Sequence, residues 1–235
     1  MENGNQAGSI QIGIDGEWSL EDFELFFRRY NEVYSFLNVS RHLMDKDTDE
    51  VVRAAISEHT FNRFPWEGGW SSYQSYRSLH RNLFHDERPT VVAMRYGSPG
   101  IIEVGGALIS ILLVQKIVQN YVLHSEEIWY IYRSAHRDFK HRGWLGKDSR
   151  LEKLRPSADD LKEAQTTFRA LVTLLDLGSI GDWDSIVEDP ITGVKILFAF
   201  IRRMKELVDG QRPRNSRVDF NLPEDSSDRK KNNEC

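Results

Sequence analysis

Ile10, Ile12 and Ile14 alternate with Gln11, Gly13 and Asp15, so the chain begins with the period-two pattern of a half-buried strand, and Asp15-Gly16 supplies the turn that ends it. Ser19, with Asp22 three residues on, has the form of a capping box. Behind it Leu20, Phe23, Phe26, Phe27, Tyr30, Tyr34 and Leu37 recur at helical spacing. The inner face of this helix is predicted to be aromatic, and Glu24, Arg28 and Glu32, four apart, to lie on its solvated side. From Leu43 to Arg88 the pattern loosens. Asp47 with Glu50 can open a short helix through about His59, while "FPWEGGWSSYQSY" carries Pro, paired Gly and three Ser among its aromatics and reads as a long loop, 61–76, in an insertion at 60–89.

A second strand is predicted at Thr90 to Tyr96, where β-branched residues gather, with Gly97 to Gly100 ending it. Ile101 to Leu123 is among the most apolar segments of the chain and predicts a buried helix, including Leu108, Ile111, Leu112 and Val118. Ser98 would be its N-cap and Pro99 its first residue, with Gly105 and Gly106 one turn in, where they allow close packing. Ile128, Ile131, Tyr132, Ala135 and Phe139 then line one face of a further helix. Ser157 with Asp160 caps another, which runs through Leu161, Ala164, Phe168, Leu171 and Leu175 to Gly178, a residue suited to the C′ position. Asp189-Pro190 heads the last helix, with Ile191, Val194, Leu197, Phe198, Ile201, Met204 and Val208 inside. From Gly210 onward the chain is polar, charged and punctuated by Pro, which predicts a disordered tail.

These elements predict an α+β fold. A flexible N-terminus at 1–8 precedes a domain at 9–123 built from two strand-helix units, Ile10 to Leu37 and Thr90 to Leu123, in which Ile10 to Ile14 pairs with Val91 to Tyr96. A helical region, 124–209, and the tail, 210–235, complete the chain. Two strands alone bury too little to be stable, so either the aromatic loop adds strands or an edge is covered by a helix or another chain.

Composition narrows the function. With 235 residues, 40% of them apolar, the chain can build a real core, and its net charge of −5 leaves only a local patch for nucleic acid. The single cysteine, Cys235, excludes a disulfide framework and a thiolate metal cluster and fits a cytoplasmic setting. "MENGNQAGS" has neither the basic nor the apolar part of a secretory signal. His80 and His85 are five apart, as are His136 and His141, whereas helical metal pairs need three or four to share a face, so no metal is expected. No phosphate loop, dinucleotide fingerprint or nucleophile elbow occurs, and no cofactor is expected. Catalytic residues stay unassigned. The enzyme alternative is a hydrolase or nuclease using His80 or His85 with carboxylates such as Asp86 and Glu87 or Asp182 and Asp184.

The strongest charge cluster is Arg133, His136, Arg137, Lys140, His141, Arg142 and Lys147, interleaved with Phe139 and Trp144. Arg133, Arg137 and Lys140 can share a helical face for phosphates, with Arg142 beside them and Trp144 for stacking, which makes a nucleic-acid-binding protein one alternative. The Gly97-Ser98-Pro99-Gly100 turn is a weaker anion site, because Pro99 lacks an N–H and the cap accounts for the residues without a ligand. The charge-free core of the apolar segment, Val104 to Val114, is shorter than the ~20 residues of a membrane span, so a membrane-acting effector is a further alternative to the buried helix.

"IQIGIDGEWSLEDFELFFRRYNEVYSFL" and "VVAMRYGSPGIIEVGG" together resemble a loose set of uncharacterised bacterial proteins, over about Ser9 to Leu37 and Thr90 to Leu123 and most sharply at Tyr96 to Gly100 with Glu103. The resemblance implies a strand-helix module that acts without catalysis, as an adaptor or effector component beside bacterial conflict or antiviral defence genes. Residue chemistry and resemblance agree on the leading expectation, a protein-interaction or assembly module that binds a protein partner or a second copy of itself.

Overall fold

The computed structural model describes residues 7–57, 69–145, 155–187, 189–209 and 217–220, and it has an α+β fold. In chain order the elements are β1 (Ala7–Asp15), α1 (Leu20–Met44), α2 (Glu50–Ser57), α3 (Gly69–Arg81), β2 (Thr90–Arg95), β3 (Gly100–Ala107), α4 (Leu108–Leu123), α5 (Ser125–His141), α6 (Ala158–Leu174), α7 (Pro190–Val208) and β4 (Arg217–Asp219). The strands form one antiparallel sheet in the order β2-β3-β1-β4.

The alternation in β1 works as its sequence predicts. Ile10, Ile12 and Ile14 point to the core opposite Val104, Ile102 and Gly100 of β3, while Gln11 faces Glu103 on the outer side. The predicted pairing of β1 with the strand at Val91 to Tyr96 is not formed. That strand, β2, turns back through Gly97 to Pro99 into β3, and β3 inserts between the two. The second predicted unit is therefore a hairpin followed by a helix. Ser98 and Pro99 belong to the hairpin turn and do not launch the helix, which starts at Leu108 after Ala107. Gly105 and Gly106 likewise belong to β3. Gly106 has a φ of +156°, and a Cβ there would stand 3.2 Å from Tyr34 Oη; one at Gly100 would stand 2.8 Å from the Arg95 carbonyl oxygen.

Helix caps hold the remaining frame. The Ser19–Asp22 and Ser157–Asp160 capping boxes both form, and the Asp189 side chain accepts from the Ile191 and Thr192 amides ahead of Pro190. α2 begins two residues later than Asp47 suggests, because Asp49 accepts from the Val51 amide. α6 ends in a left-handed Asp176, φ 55°, so Gly178 is not its C′ residue. The segment Gly69–Arg81, expected as part of a loop, is helix α3. It packs Tyr76 and Leu79 into the core, while 61–68 lie outside the described residues. The expected disordered tail contributes β4 and the buried Phe220. The expected flexible N-terminus reaches β1 by Ala7 and is otherwise outside the described residues.

The core lies between the sheet and a helical layer in which α1 packs on α3, α4 and α7, and α7 on α6. Phe36 stacks on Phe200 at 4.5 Å between ring centroids, with Trp183 and Tyr76 on either side, and each fully buried ring contributes roughly 1.5–3 kcal/mol. Every residue expected inside α7 is buried except Val208, which is half-buried, and α7 buries Ile196, Phe200 and Leu207 as well. α1 departs from its sequence pattern at two positions: Leu20 is exposed, and Glu32 turns inward to Arg29, at 2.6 Å, and Arg203, at 3.0 Å. α4 spans 16 residues and buries Ile111 and Val118, but Leu112 is 42% exposed, contrary to its expected burial. No helix among the described residues is long and apolar enough to cross a membrane.

Candidate functional site

β2 is a sheet edge whose six residues are all exposed. Its inner edge bonds to β3, while no strand among the described residues meets its outer edge. The register places Val91 opposite Val104 and Met94 opposite Ile102, on the core side of the sheet, yet Val91 is 50% and Met94 45% exposed. A bulge at Val92 separates the Val91–Val104 and Ala93–Glu103 pairs. Val92, 57% exposed, leans onto the outer face, where a Cβ on Gly105 would meet its Cγ2 at 2.7 Å. Tyr96 extends the apolar strip at the turn; it is 59% exposed and meets Phe23 edge-on.

The expected turn residues lie at the end of this edge. Gly97, Ser98, Pro99 and Gly100 join β2 to β3, with Ser98 donating to the Asp15 carboxylate across the sheet end. No helix N-terminus stands there, so the anion reading of this turn loses its electrostatic basis.

Beneath the edge is a buried polar cluster that its sequence hides. Glu87, 1% exposed, accepts from His42 Nε2 at 2.9 and 3.0 Å with the Arg41 guanidinium 3.5 Å away. Burial alone would raise its carboxyl pKa, but the His42 hydrogen bond and the charges of His42 and Arg41 outweigh it and hold the pKa below the ordinary value. Tyr34 Oη donates to the Glu87 carbonyl at 2.5 Å and accepts from the Ala107 amide at 3.2 Å, tying the approach to β2 onto the start of α4. The partners are 45 and 53 residues from Glu87 in sequence, so no local motif marks them.

The basic cluster on α5 is divided. Arg133, Arg137 and Lys140 are exposed on one face, as required for phosphate contacts, and Arg133 also lines an open groove of 870 Å³ with Trp129, Tyr130 and Lys205. Arg142 instead pairs with Asp160 and, at 3.1 Å, with Glu163 on α6. Trp144 is 7% exposed and meets Phe139 edge-on, so it offers no stacking surface. Lys147 lies outside the described residues. His136 has its pKa lowered by burial and then by the nearby charges of Arg202 and Lys140.

The carboxylates and histidines of the enzyme alternative are scattered. His80 is half-buried on α3 with its pKa lowered by burial and by Arg88, His85 and Asp86 are exposed, and Glu87 is committed to His42. Asp182 caps the Asp184 amide, and Asp184 is held by Arg169 at 2.7 Å. Among the described residues, no three His, Cys, Asp or Glu side chains gather to hold a metal ion. Compared with known proteins, the chain matches no family model, no curated protein and no solved structure.

Proposed function

We propose that the protein is a non-enzymatic interaction and assembly module that takes its partner along the open β2 edge. The observation carrying this reading is an apolar edge strand, Val91, Val92, Met94 and the adjoining Tyr96, exposed on both faces of the sheet, while β1 and β3 bury Ile10, Ile12, Ile14, Ile102 and Val104. Such an edge favours strand addition, in which backbone hydrogen bonds supply affinity and alternate side chains supply selectivity. A cytoplasmic adaptor or effector component of a bacterial defence system is the setting that the lone Cys235 and the family resemblance support.

A photo-crosslinking residue at Val92, introduced in the cells that make the protein, tests the reading against the same residue at Glu24, exposed on the far side of α1. Adducts at Val92 and none at Glu24 are expected. No adduct at Val92, or equal labelling at both, removes the proposal. A second reading, nucleic-acid phosphates on α5, has the specific support of the shared, exposed Arg133, Arg137 and Lys140 face.

A further inference from the structure

We infer that the partner of the β2 edge is a second copy of the chain, added antiparallel so that Thr90 faces Arg95, Val91 faces Met94 and Val92 faces Ala93 of the other copy. The inference rests on reading β2 as the docking edge and adds the partner and the register. Its basis is the in-and-out order of the side chains. Thr90 pairs with Gly105, Ala93 with Glu103 and Arg95 with Ile101, so all three point to the outer face, while Val91 and Met94 point to the core side. The bulge adds Val92 to the outer set.

Read from either end, β2 therefore runs outer, core, outer, outer, core, outer. An unbulged six-residue strand would run outer, core, outer, core, outer, core, and in a two-fold pairing of its full length each outward side chain would oppose an inward one. The bulge makes the strand palindromic, and directly opposed residues then share a face, as an antiparallel pair requires. The chemistry is self-complementary too. Arg95 is the only charge in the strand and meets Thr90, so no like charges oppose each other, and the half-exposed Val91 and Met94 cover one another on the core side. A two-fold axis between Val92 and Ala93 would join the two sheets into one and leave neither β2 edge open.

The test is sedimentation of the purified full chain from micromolar to hundreds of micromolar concentrations, with wild type expected to approach twice its 27.3 kDa mass. V91K/M94K places two like-charged pairs across the axis and should give a monomer, whereas V91K/M94E places opposite charges in the same positions and should restore the dimer. Because β2 is exposed, both variants should keep the wild-type unfolding midpoint at protein concentrations low enough for all three to be monomers, which separates loss of pairing from loss of folding. Register is read independently by V91C/M94C in a C235S background. Opposed residues in an antiparallel pair are about 4.5–5.5 Å apart at Cα, within disulfide reach, while residues 91 and 94 of one strand are about 10 Å apart and beyond it. Oxidation should link two chains in the double variant and in neither single one. A monomer at every concentration, a dimer that survives V91K/M94K, or a loss of dimer as complete in V91K/M94E as in V91K/M94K overturns the inference. A monomer that still gives Val92 adducts in cells overturns only the second copy, whereas a monomer without adducts removes the docking edge as well.

Discussion

The two edges of the sheet are finished differently. On one side β4 pairs with the end of β1, Val218 opposite Ile14, and Phe220 closes the corner: it is 5% exposed, lies 6.5 Å from Phe26 between ring centroids, and accepts from Gln115 Nε2 through its carbonyl at 2.6 Å. On the other side β2 has a similar supply of apolar side chains and nothing over them among the described residues. The C-terminal segment Arg217 to Phe220 therefore serves as a cover for one edge, and the described residues provide none for the other. Leaving Val91 and Met94 half-exposed forgoes burial worth roughly 1–2 kcal/mol each, a cost that an intermolecular strand pairing would recover.

The contrast can be measured most strongly across a single pair in the register. Ile102 and Met94 face each other, but Ile102 is fully buried on β3 and Met94 overhangs the edge. Ile102→Ala should cost about 4 kcal/mol, toward the upper end for a buried aliphatic truncation, and Met94→Ala less than about 0.5 kcal/mol in the monomer. Denaturant unfolding at low protein concentration measures both. Equal losses would mean that β2 is as much core as β3, and the idea of an open edge would fail.

The covered edge should respond to truncation as a core does. Phe220→Ala removes a ring seated on Phe26 and should cost about 3 kcal/mol, the low end for a buried phenylalanine because a three-residue strand can yield around it. A change below about 0.5 kcal/mol would show that β4 adds little and that both edges are effectively open.

Where the sequence could and could not be read follows from the same physics. β1, α1, α6 and α7 were legible because a period or a cap is local: three isoleucines at alternate positions, Ser19 with Asp22, Ser157 with Asp160, Asp189 before Pro190. β3 was not, because its alternation of Ile102 and Val104 with Glu103 passes through Gly105 and Gly106 straight into the apolar start of α4, and a strand running into a helix looks like one longer helix. With β3 merged into that helix, β2 has only β1 to pair with, and Ser98 and Pro99 look like a cap. β4 was illegible because three residues carry no period, and α3 because Ser and Gly suggest a loop until Tyr76 and Leu79 find the core. For β2, the β-branched residues at Thr90 to Tyr96 marked the strand but not its exposure, because a continuous apolar run does not tell a covered strand from an open edge. The Glu87 cluster depends on contacts that no spacing announces, and of the basic face Arg133, Arg137 and Lys140 kept their exposure while Arg142 and Trp144 were taken up by α6 and the core.

Acid should weaken the approach to β2 through Glu87 and the helical layer through His80 and His136. Glu87 has a folded-state pKa below its unfolded value of about 4.5, so its contribution is complete above that value and is lost as pH falls through the folded pKa. His80 and His136 have folded pKa values lowered from 6.5, so the unfolded chain takes up their protons first and stability already declines as pH falls below that point. Two successive acid losses are expected in unfolding experiments. Glu87→Gln should cost about 2 kcal/mol at neutral pH by removing a buried carboxylate from the His42 hydrogen bonds and the nearby Arg41 charge, and should remove the loss below pH 4.5 while sparing the earlier one. An unchanged acid limb in that variant would mean that the polar cluster does not anchor the approach to β2.

The smallest effects are expected on α5, which provides the control surface for both edges. Arg133, Arg137 and Lys140 are exposed, and Arg133 Nε donates within its own helix to the Trp129 carbonyl at 3.1 Å, so alanine at each should change stability by less than about 0.5 kcal/mol. None of the three should alter the mass of the protein in solution, because they lie away from the β2 register. If α5 does carry phosphates, each neutralisation should reduce the slope of log affinity against log salt by about one unit, while Met94→Ala leaves that slope unchanged. A titration of duplex and single-stranded nucleic acid at several salt concentrations reads this directly. Salt-independent binding, or none, returns the three cations to the solvated face of α5. A slope that changes with Met94→Ala instead would place the nucleic acid on the sheet edge, and β2 would then be a nucleic-acid surface and not a site of strand pairing.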